Sequence, residues 1–372
     1  MSERRVVVAM SGGVDSSVAA ALLVQAGYRV EGIMLELWSE PAVCGPGNDA
    51  SVPTTNRCCT PDQMADAREV ARILHIPFQT WDLSTPFRDT VVEDMISAYS
   101  AGLTPNPCLV CNRRIRFGLL LERAREMGFD AMATGHYVRL SRGEDSTLRL
   151  LTGIDGAKDQ SYVLHMLSQT QLGHLLFPVG GYTKPRIREL ARQFDLPVAT
   201  KPDSQDLCFL IDGDYRRFLR ENAPEAMRPG PILDQNGRTL GTHQGTPGFT
   251  IGQRKGLGIS APRPLYVLEI DPARNALIVG DQETAGRREL TTTDTHWVAG
   301  RPPGGGAPFS AEVRIRYKGS PRPALVTPGP NAQALVRFQG SISDISPGQA
   351  AVFYQGEVCL GGGTITRQEP VA

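Results

Sequence analysis

The feature that most constrains this chain is Ser11-Gly12-Gly13-Val14-Asp15-Ser16-Ser17, set directly behind the apolar run Arg5 to Met10. A short β-branched run, a Ser/Gly turn and a helical pattern read as strand, loop and helix. Glycines there let the backbone come close to phosphate oxygens. The amides of the following helix point at the same place, and the hydroxyls of Ser11, Ser16 and Ser17 add donors. The string lacks Gly-Lys-Ser/Thr, so it is not a Walker A loop. It lacks Gly-x-Gly-x-x-Gly, which disfavours a dinucleotide fold. Asp15 suits either holding Mg²⁺ or fixing the loop. A lone Ser/Gly turn is as often a helix cap, but the seven-residue string in this setting favours a phosphate loop.

Strand and helix patterns continue to alternate behind it. Ser16 to Gln25 reads as a helix stopped by Gly27, Arg29 to Glu36 as a strand and Asp62 to Leu74 as a helix. Phe78 to Asp82 reads as a strand, Pro86 to Tyr99 and Asn112 to Met127 as helices, and Phe129 to Thr134 as a buried strand. Repeated strand–helix units predict a mostly parallel sheet covered on both faces. Further helices are expected at Gln160 to Gln169, Lys184 to Phe194 and Asp214 to Glu221. After about residue 225 helical periodicity gives way to short strands separated by Gly and Pro: Leu265 to Ile270, Ala276 to Val279, Ala311 to Arg316, Gln333 to Phe338 and Ala350 to Tyr354.

A chain of 372 residues exceeds what one hydrophobic core usually serves, so two or three domains are expected. With 39 basic and 39 acidic residues, a general basic coat is excluded and only local basic patches remain. No uncharged apolar stretch is long enough for a membrane span, and Val6 to Met10 is too short for a signal-peptide core. The expected location is cytoplasmic. Seven cysteines, at 44, 58, 59, 108, 111, 208 and 359, do not suit a secreted disulfide framework.

Cys108 and Cys111 form a CxxC just before an expected helix, where a thiolate is favoured. That spacing allows one metal or a redox pair. Cys208 closes Lys201-Pro202-Asp203-Ser204-Gln205-Asp206-Leu207-Cys208. Cys44, Cys58 and Cys59 read as structural or incidental, and Cys359 as β-core. Arg113, Arg114 and Arg116, then Lys184, Arg186 and Arg188, then Arg254 and Lys255, form basic clusters. Arg314, Arg316 and Lys318 are expected on one strand face, which would suit a phosphate track.

The Ser11–Ser17 string resembles the pyrophosphatase-loop signature of ATP-dependent adenylating enzymes, argininosuccinate synthase, asparagine synthetase and GMP synthetase among them. Those enzymes need no CxxC with a remote cysteine. Taken with Asn106-Pro107-Cys108, Cys111-Asn112, Ala133-Thr134-Gly135-His136-Tyr137, Lys158-Asp159-Gln160-Ser161-Tyr162 and Lys201 through Phe209, the chain closely resembles the tRNA-specific 2-thiouridylase family. Gly241-Thr242-His243-Gln244-Gly245, Thr250 through Leu257 and Cys359-Leu360-Gly361-Gly362-Gly363 extend the match to nearly the whole chain. A 4-thiouridine synthase is a nearer rival, but the extra N-terminal RNA-binding domain expected there is not found. A nonenzymatic RNA-binding or iron–sulfur carrier is the rival outside catalysis.

The resemblance implies an α/β adenine-nucleotide α-hydrolase-like domain with a parallel sheet at 1–210, a small central tRNA-recognition domain at 211–285, and a C-terminal β-barrel contacting tRNA at 286–372. It implies ATP-dependent 2-thiolation of the wobble uridine (U34), with ATP–Mg²⁺ and a sulfur donor such as a cysteine desulfurase or sulfur-relay protein. It maps ATP contacts to Ala9, Met10, Ser11, Gly12, Gly13, Val14, Asp15, Ser16, Met34 and Gly135. The target base falls to Asn106, Pro107 and Cys108, and tRNA contacts to His136, Lys158, Asp159, Gln160, Arg316, Tyr317 and Gln349. Cys111 maps to the nucleophile and Cys208 to the persulfide carrier, and these two can form a disulfide without substrate. Family members best known for this chemistry carry Asp where this chain has Cys108. Three thiolates, Cys108, Cys111 and Cys208, open the alternative of a [4Fe–4S] cluster with one open iron.

Overall fold

The computed structural model describes residues 4–40, 60–203, 207–281 and 286–367. Cys44, Cys58 and Cys59 therefore lie outside the described residues, as do Ser204, Gln205 and Asp206. The chain divides into two compact units. The first holds residues 1–91, 108–214 and 357–359, and the second holds 92–107, 215–356 and 360–372. No helix among the described residues is long and apolar enough to cross a membrane.

The first unit is built on a parallel sheet. Its strands are β1 (Arg5–Ala9), β2 (Arg29–Glu36), β3 (Phe78–Asp82), β4 (Ala131–Thr134) and β7 (Leu175–Leu176), in the order β3-β2-β1-β4-β7. β1 is Val-rich and its three valines are shielded from solvent, as expected of a central strand covered on both faces. Helix α1 (Val14–Gln25) is buried over most of its length, with Val14, Val18, Ala19, Ala20 and Leu23 in one core with Val6, Val8 and Met34. Its alanines allow close packing, and Gly27 in the left-handed region (φ 80°) ends it. Helix α2 (Pro61–Ile73) is capped by the Thr60 side chain, which accepts from the Gln63 amide at 3.2 Å. The chain moves outward from β1 through β2 to β3 and then returns to β4 on the other side of β1. Ligands of such sheets bind at that reversal, outside the carboxyl ends of the strands.

An antiparallel hairpin, β5 (Val138–Arg142) with β6 (Leu148–Thr152), follows β4. The sequence pattern alone did not reveal it, because it is short and Arg-rich. The expected helix over Gln160 to Gln169 is instead a 3₁₀ turn at Ser161–Leu164 and a single helical turn at Gln169–Leu172. Asp159 causes the break. Its buried carboxylate takes the amides of Gly153 and Ser161 at 3.1 Å each, which diverts the backbone from a helical ladder. The expected helix at Pro86 to Tyr99 contains a π-helical segment at Arg88–Val92, and Cys111–Leu120 is π-helical as well. Helix α3 (Lys184–Gln193) packs on α1.

In the second unit, β8 (Gly230–Leu233), β9 (Thr239–His243), β10 (Tyr266–Asp271) and β11 (Ala276–Gly280) form a sheet ordered β10-β11-β8-β9. Its core is Ile232, Val267, Ile270, Leu277 and Val279. Six further strands are β12 (Arg287–Trp297), β13 (Phe309–Arg314), β14 (Arg322–Pro328), β15 (Ala334–Ile342), β16 (Ala350–Gln355) and β17 (Val358–Ile365). They run β12-β15-β14-β13-β16-β17, and β12 pairs back onto β17 to close the barrel. Closure leaves no edge strand to be capped. Cys359 is buried on β17, as its β-core assignment requires.

Candidate functional site

The phosphate loop sits where the sheet reverses. Gly12 takes φ 68°, and a Cβ there would lie 2.3 Å from the Gln63 carbonyl oxygen, so only glycine fits. Ser16 Oγ accepts from the Ser11 amide at 3.1 Å and donates to the Gly13 carbonyl at 3.2 Å, while Ser17 Oγ donates to the same carbonyl at 2.9 Å. These bonds hold the loop in a tight curl over the first turn of α1. Gly135, just past β4, closes the other side. A Cβ on it would stand 2.6 Å from the Ser16 nitrogen. Met34 and Met10 are both buried in the core shared with α1, and Met10 lies against Gly32.

Asp15 settles as the loop's anchor. Lys184 Nζ donates to both of its oxygens at 2.8 Å, and the Tyr137 hydroxyl donates to Oδ1 at 2.6 Å. Burial and the neighbouring Asp15 carboxylate push the Tyr137 phenol upward, so it remains a donor. Lys184 is the first residue of α3, whose amide is capped by Asp155 Oδ2 at 2.9 Å. A buried cation at a helix N-terminus is opposed by both desolvation and the helix dipole, so it needs carboxylates. It has two, Asp15 and Asp203, the latter at 2.9 Å. Asp203 also takes Lys158 at 2.6 Å and Arg188 at 2.9 Å. Burial raises its pKa, but the Lys158 and Lys184 ammonium groups outweigh that and hold the carboxyl at about 2.

The structure divides the basic cluster Lys184, Arg186 and Arg188 between two carboxylate partners. Lys184 and Arg188 turn to Asp203, and Arg186 pairs with Glu189 at 2.7 Å on its own helix.

The cysteines occupy distinct settings in the first unit. Cys108 is exposed and Cys111 is buried, while Cys208 is half-buried. The CxxC lies within a helix rather than before it: Pro107–Val110 is α-helical and Cys111 opens the π-helical segment. Beside Cys111, Asn112 Nδ2 donates to the Val163 carbonyl at 3.2 Å, which fixes that turn against the 3₁₀ segment. Arg113 and Arg114, one turn on, are exposed to solvent. The described residues on either side of Cys208 are both tied down, with 204–206 between Asp203 and Cys208 outside the described residues. Ahead of it, Asp203 is tied as described, and Lys201 Nζ donates to the Gly12 carbonyl at 3.0 Å and to Asp66. Behind it, buried Phe209 packs on Trp38 and Phe87, with ring centroids 6.4 and 5.7 Å away.

A [4Fe–4S] cluster on Cys108, Cys111 and Cys208 would need the three thiolates gathered around one group. Among the described residues no three His, Cys, Asp or Glu side chains converge as a metal-binding group. The donor set does not fit the cluster.

The residues mapped to tRNA contact take several positions. His136 Nδ1 lies 2.8 Å from Thr134 Oγ1 and its ring packs on Phe117. Burial, then the Arg116 guanidinium, lower its pKa to about 3, so the ring is neutral near pH 7. Lys158 is the salt-bridge partner of Asp203. Asp159 is buried, and Gln160 Oε1 accepts the Tyr137 amide at 2.9 Å. This segment therefore supports Tyr137, and through it Asp15. In the second unit, Gln349 Nε2 donates to the carbonyls of Thr104 at 3.0 Å and Pro105 at 3.3 Å, immediately before Asn106 and Pro107. Arg316 pairs with Asp344 at 3.2 Å, and neighbouring Tyr317 lies, like it, beyond the strand. β13 ends at Arg314, so Arg314, Arg316 and Lys318 do not alternate along one strand as expected; Arg314 stacks on the Tyr354 ring at 4.6 Å.

Tyr137, Lys184, Lys201 and Asp203 are not singled out as site residues from sequence, although Tyr137, Lys201 and Asp203 stand in the strings that carry the family resemblance and Lys184 in a basic cluster. The Asp15–Lys184 pair spans 169 positions and has no local sequence signal.

Three family descriptions cover the chain: a tRNA methyl transferase HUP domain at 4–212, a tRNA methyl transferase PRC-barrel domain at 216–281, and an aminomethyltransferase β-barrel domain at 287–365. A tRNA-specific 2-thiouridylase MnmA of Chloroflexus aurantiacus is 48% identical over 364 residues, covering 98% of this chain and 99% of the relative. That of Moorella thermoacetica is 46% identical over 361 residues, covering 96% and 98%. Among solved structures, a 4-thiouridine synthetase–RNA complex with bound ATP aligns with 60% of this chain and 51% of that one, at 17% identity and a TM-score of 0.37. The domain descriptions speak of methyl transfer, whereas the relatives that match from end to end are thiouridylases. Identity of this level over almost the full length of both chains, with the phosphate loop and both Cys111 and Cys208 in place, makes this chain a member of the tRNA-specific 2-thiouridylase family.

Proposed function

We propose that this protein replaces the C2 oxygen of the wobble uridine of tRNA with sulfur, using ATP. The end-to-end match to 2-thiouridylases carries the reading, because the phosphate loop alone would suit many adenylating enzymes. ATP with Mg²⁺ lies along Ser11–Ser17, where Ala9, Met10, Gly12, Gly13, Val14 and Ser16 form the cradle and Met34 and Gly135 flank the adenine side. Asp15 is engaged by Lys184 and Tyr137, so its part is to hold the cradle's shape. The uridine C2 oxygen attacks the α-phosphorus and pyrophosphate leaves. The O-adenylated C2 is then electrophilic, with AMP as leaving group.

Cys208 carries the incoming sulfane sulfur as a persulfide. The Cys111 thiolate attacks the inner sulfur, a Cys111–Cys208 disulfide forms, and hydrosulfide is released. Hydrosulfide adds at C2 and AMP departs with the oxygen. An external thiol then reduces the disulfide, which restores both cysteines. Burial of Cys111 keeps its thiol from adventitious oxidants, while half-exposed Cys208 remains open to a sulfur donor such as a cysteine desulfurase or relay protein. Exposed Cys108, with Asn106 and Pro107, faces the target base. The 4–212 domain performs the chemistry, and the 216–281 and 287–365 domains hold tRNA, Arg316, Tyr317 and Gln349 included.

Nucleoside mass analysis after reaction with tRNA, ATP and a persulfide donor tests this. Cys111→Ser and Cys208→Ser should each lower 2-thiouridine by at least about a hundredfold, since each removes a bond-forming atom. Full activity in either variant refutes the assigned roles.

A further inference from the structure

Lys201 makes two bonds that no assigned role requires. Its Nζ donates to the Gly12 carbonyl at 3.0 Å and to the Asp66 carboxylate on α2. Residues 189 positions apart thus bring an ammonium group onto one peptide of the phosphate loop. That peptide, Gly12–Gly13, is one whose orientation the backbone alone leaves undecided. Gly12 stands at φ 68°, and Gly13 at φ −100° and ψ 163°. Turning the peptide over would carry Gly13 to positive φ, which glycine tolerates and other residues resist. Two glycines in a row therefore permit both orientations, and a bond from outside the loop selects one.

The same bond decides where a donor points. The peptide is trans, so its C=O and N–H lie on opposite sides. With the Gly12 carbonyl on Lys201, the Gly13 amide faces away from Lys201. Gly13 is the N-cap of α1, and its carbonyl accepts the first helical bond, from the Ser17 amide at 3.3 Å. Its N–H therefore leads the four amides that have no partner within the helix. The reverse orientation would aim a carbonyl oxygen into the cradle and repel phosphate. A cation on the Gly12 carbonyl also polarises the peptide and makes its N–H a stronger donor. Asp66 keeps the ammonium group in place.

We propose that Lys201 is a positioning residue for ATP: by holding the Gly12 carbonyl, it turns the Gly13 amide toward the phosphates. The proposal rests on the function above. Lys201 acts through this one peptide, and its own ammonium group stays on the Gly12 carbonyl and Asp66.

Two measurements test it. In protein grown on glycine carrying ¹³C at the carbonyl and ¹⁵N at the amide, NMR carbonyl–amide correlations come only from Gly–Gly pairs. Gly13→Ala removes the Gly12–Gly13 signal and so assigns it. Without nucleotide, the Gly12 carbonyl resonance should move upfield in Lys201→Met, because a charged donor is lost. Lys201→Arg should return most of the shift, since a cation can still donate there. The pairs at 180–181, 304–306 and 361–363 should stay in place. By calorimetry, ATP affinity should fall about tenfold in Lys201→Met, as loss of a hydrogen bond to a charged acceptor predicts.

Gly13→Ala supplies the deciding background. Among the described residues its Cβ meets only Ser11 Oγ, at 3.4 Å, so the observed orientation accepts it while positive φ does not. Whatever that substitution costs alone, adding Lys201→Met to it should lower ATP affinity by less than about threefold, because the peptide is already held. A further loss of about tenfold there would mean that the ammonium touches phosphate itself, and it overturns the proposal. An unmoved Gly12 carbonyl in Lys201→Met overturns it too. Asp66→Asn covers a failure of Lys201→Met to fold. It should shift the same resonance the same way and weaken ATP by about threefold, since a neutral partner holds an ammonium about half as firmly; no change in either readout again overturns the proposal. Failure of the unsubstituted protein to bind ATP refutes the proposed function, whereas ATP affinity indifferent to Lys201 refutes only this inference.

Discussion

Replacing Gly135 with alanine tests whether the nucleotide cradle depends on the close approach of β4 to α1. The new Cβ would lie 2.6 Å from the Ser16 nitrogen, 2.8 Å from the Asp15 carbonyl carbon and 3.0 Å from the Asp15 Cβ. Ordinary contact begins at 3.4 Å, so the two elements must separate by about 0.8 Å. The first two obstructing atoms are backbone and cannot rotate away. They belong to a helix buried on nearly all sides, so the shift passes to the Ser11–Ser16 bonds that curl the loop. Overpacking of this kind costs about 1–3 kcal/mol. If that strain is relieved by opening the cradle, ATP affinity falls by about tenfold to a hundredfold, taking about 1.4 kcal/mol per decade. The same strain lowers Tm by about 2–4 °C per kcal/mol in a unit of this size. Calorimetric titration with ATP and thermal unfolding measure the two effects. Gly156→Ala is the control, because nothing lies within 4 Å of a Cβ there. Unchanged ATP affinity and Tm in Gly135→Ala would show that the cradle tolerates displacement, and the geometric argument would fail.

Acid stability should fall in two windows. His136 has a lowered folded pKa, about 3 against 6.5, so its contribution is complete above pH 6.5 and is lost as the unfolded chain takes a proton between pH 6.5 and 3. Asp203, at about 2 against 3.8, contributes about 2 kcal/mol above pH 4 that disappears between pH 4 and 2. Urea unfolding against pH should lose the upper slope in His136→Asn and the lower one in Asp203→Asn; slopes identical to the unsubstituted protein would contradict the assignments. Cys108→Asp should retain thiolation within about tenfold, since neither bond-forming sulfur is touched, and its iron content after anaerobic reconstitution should match that of the unsubstituted protein. A drop in activity that tracks a loss of bound iron would instead restore the cluster reading.

How legible each element was depended on the range of the interactions that make it. Arg29–Glu36 and Phe78–Asp82 match the expected strands residue for residue, because β-branched runs between turn residues are locally specified. The 160–169 region misled because its helical pattern is overruled by one buried carboxylate, Asp159, whose partner amides belong to Gly153 and Ser161. β12, β14 and β17 were missed because barrel strands gain their stability from partners far away in sequence, such as Thr292 opposite Ile365.

The sequence by itself determined the phosphate loop, the alternating α/β order, the strand-rich C-terminal half and the three cysteines of interest. Each of these is a matter of residue type at short spacing, and chirality and steric rules translate such patterns directly. Only the tertiary structure decided what the charged residues do. Asp15 could have held a cation or the loop, and Lys184 could have faced a tRNA phosphate. The fold buries Lys184 between Asp15 and Asp203 and exposes Cys108 while covering Cys111. Charge pairing acts through space and burial sets its strength, so an ion pair between residues 15 and 184 leaves no mark in the local sequence.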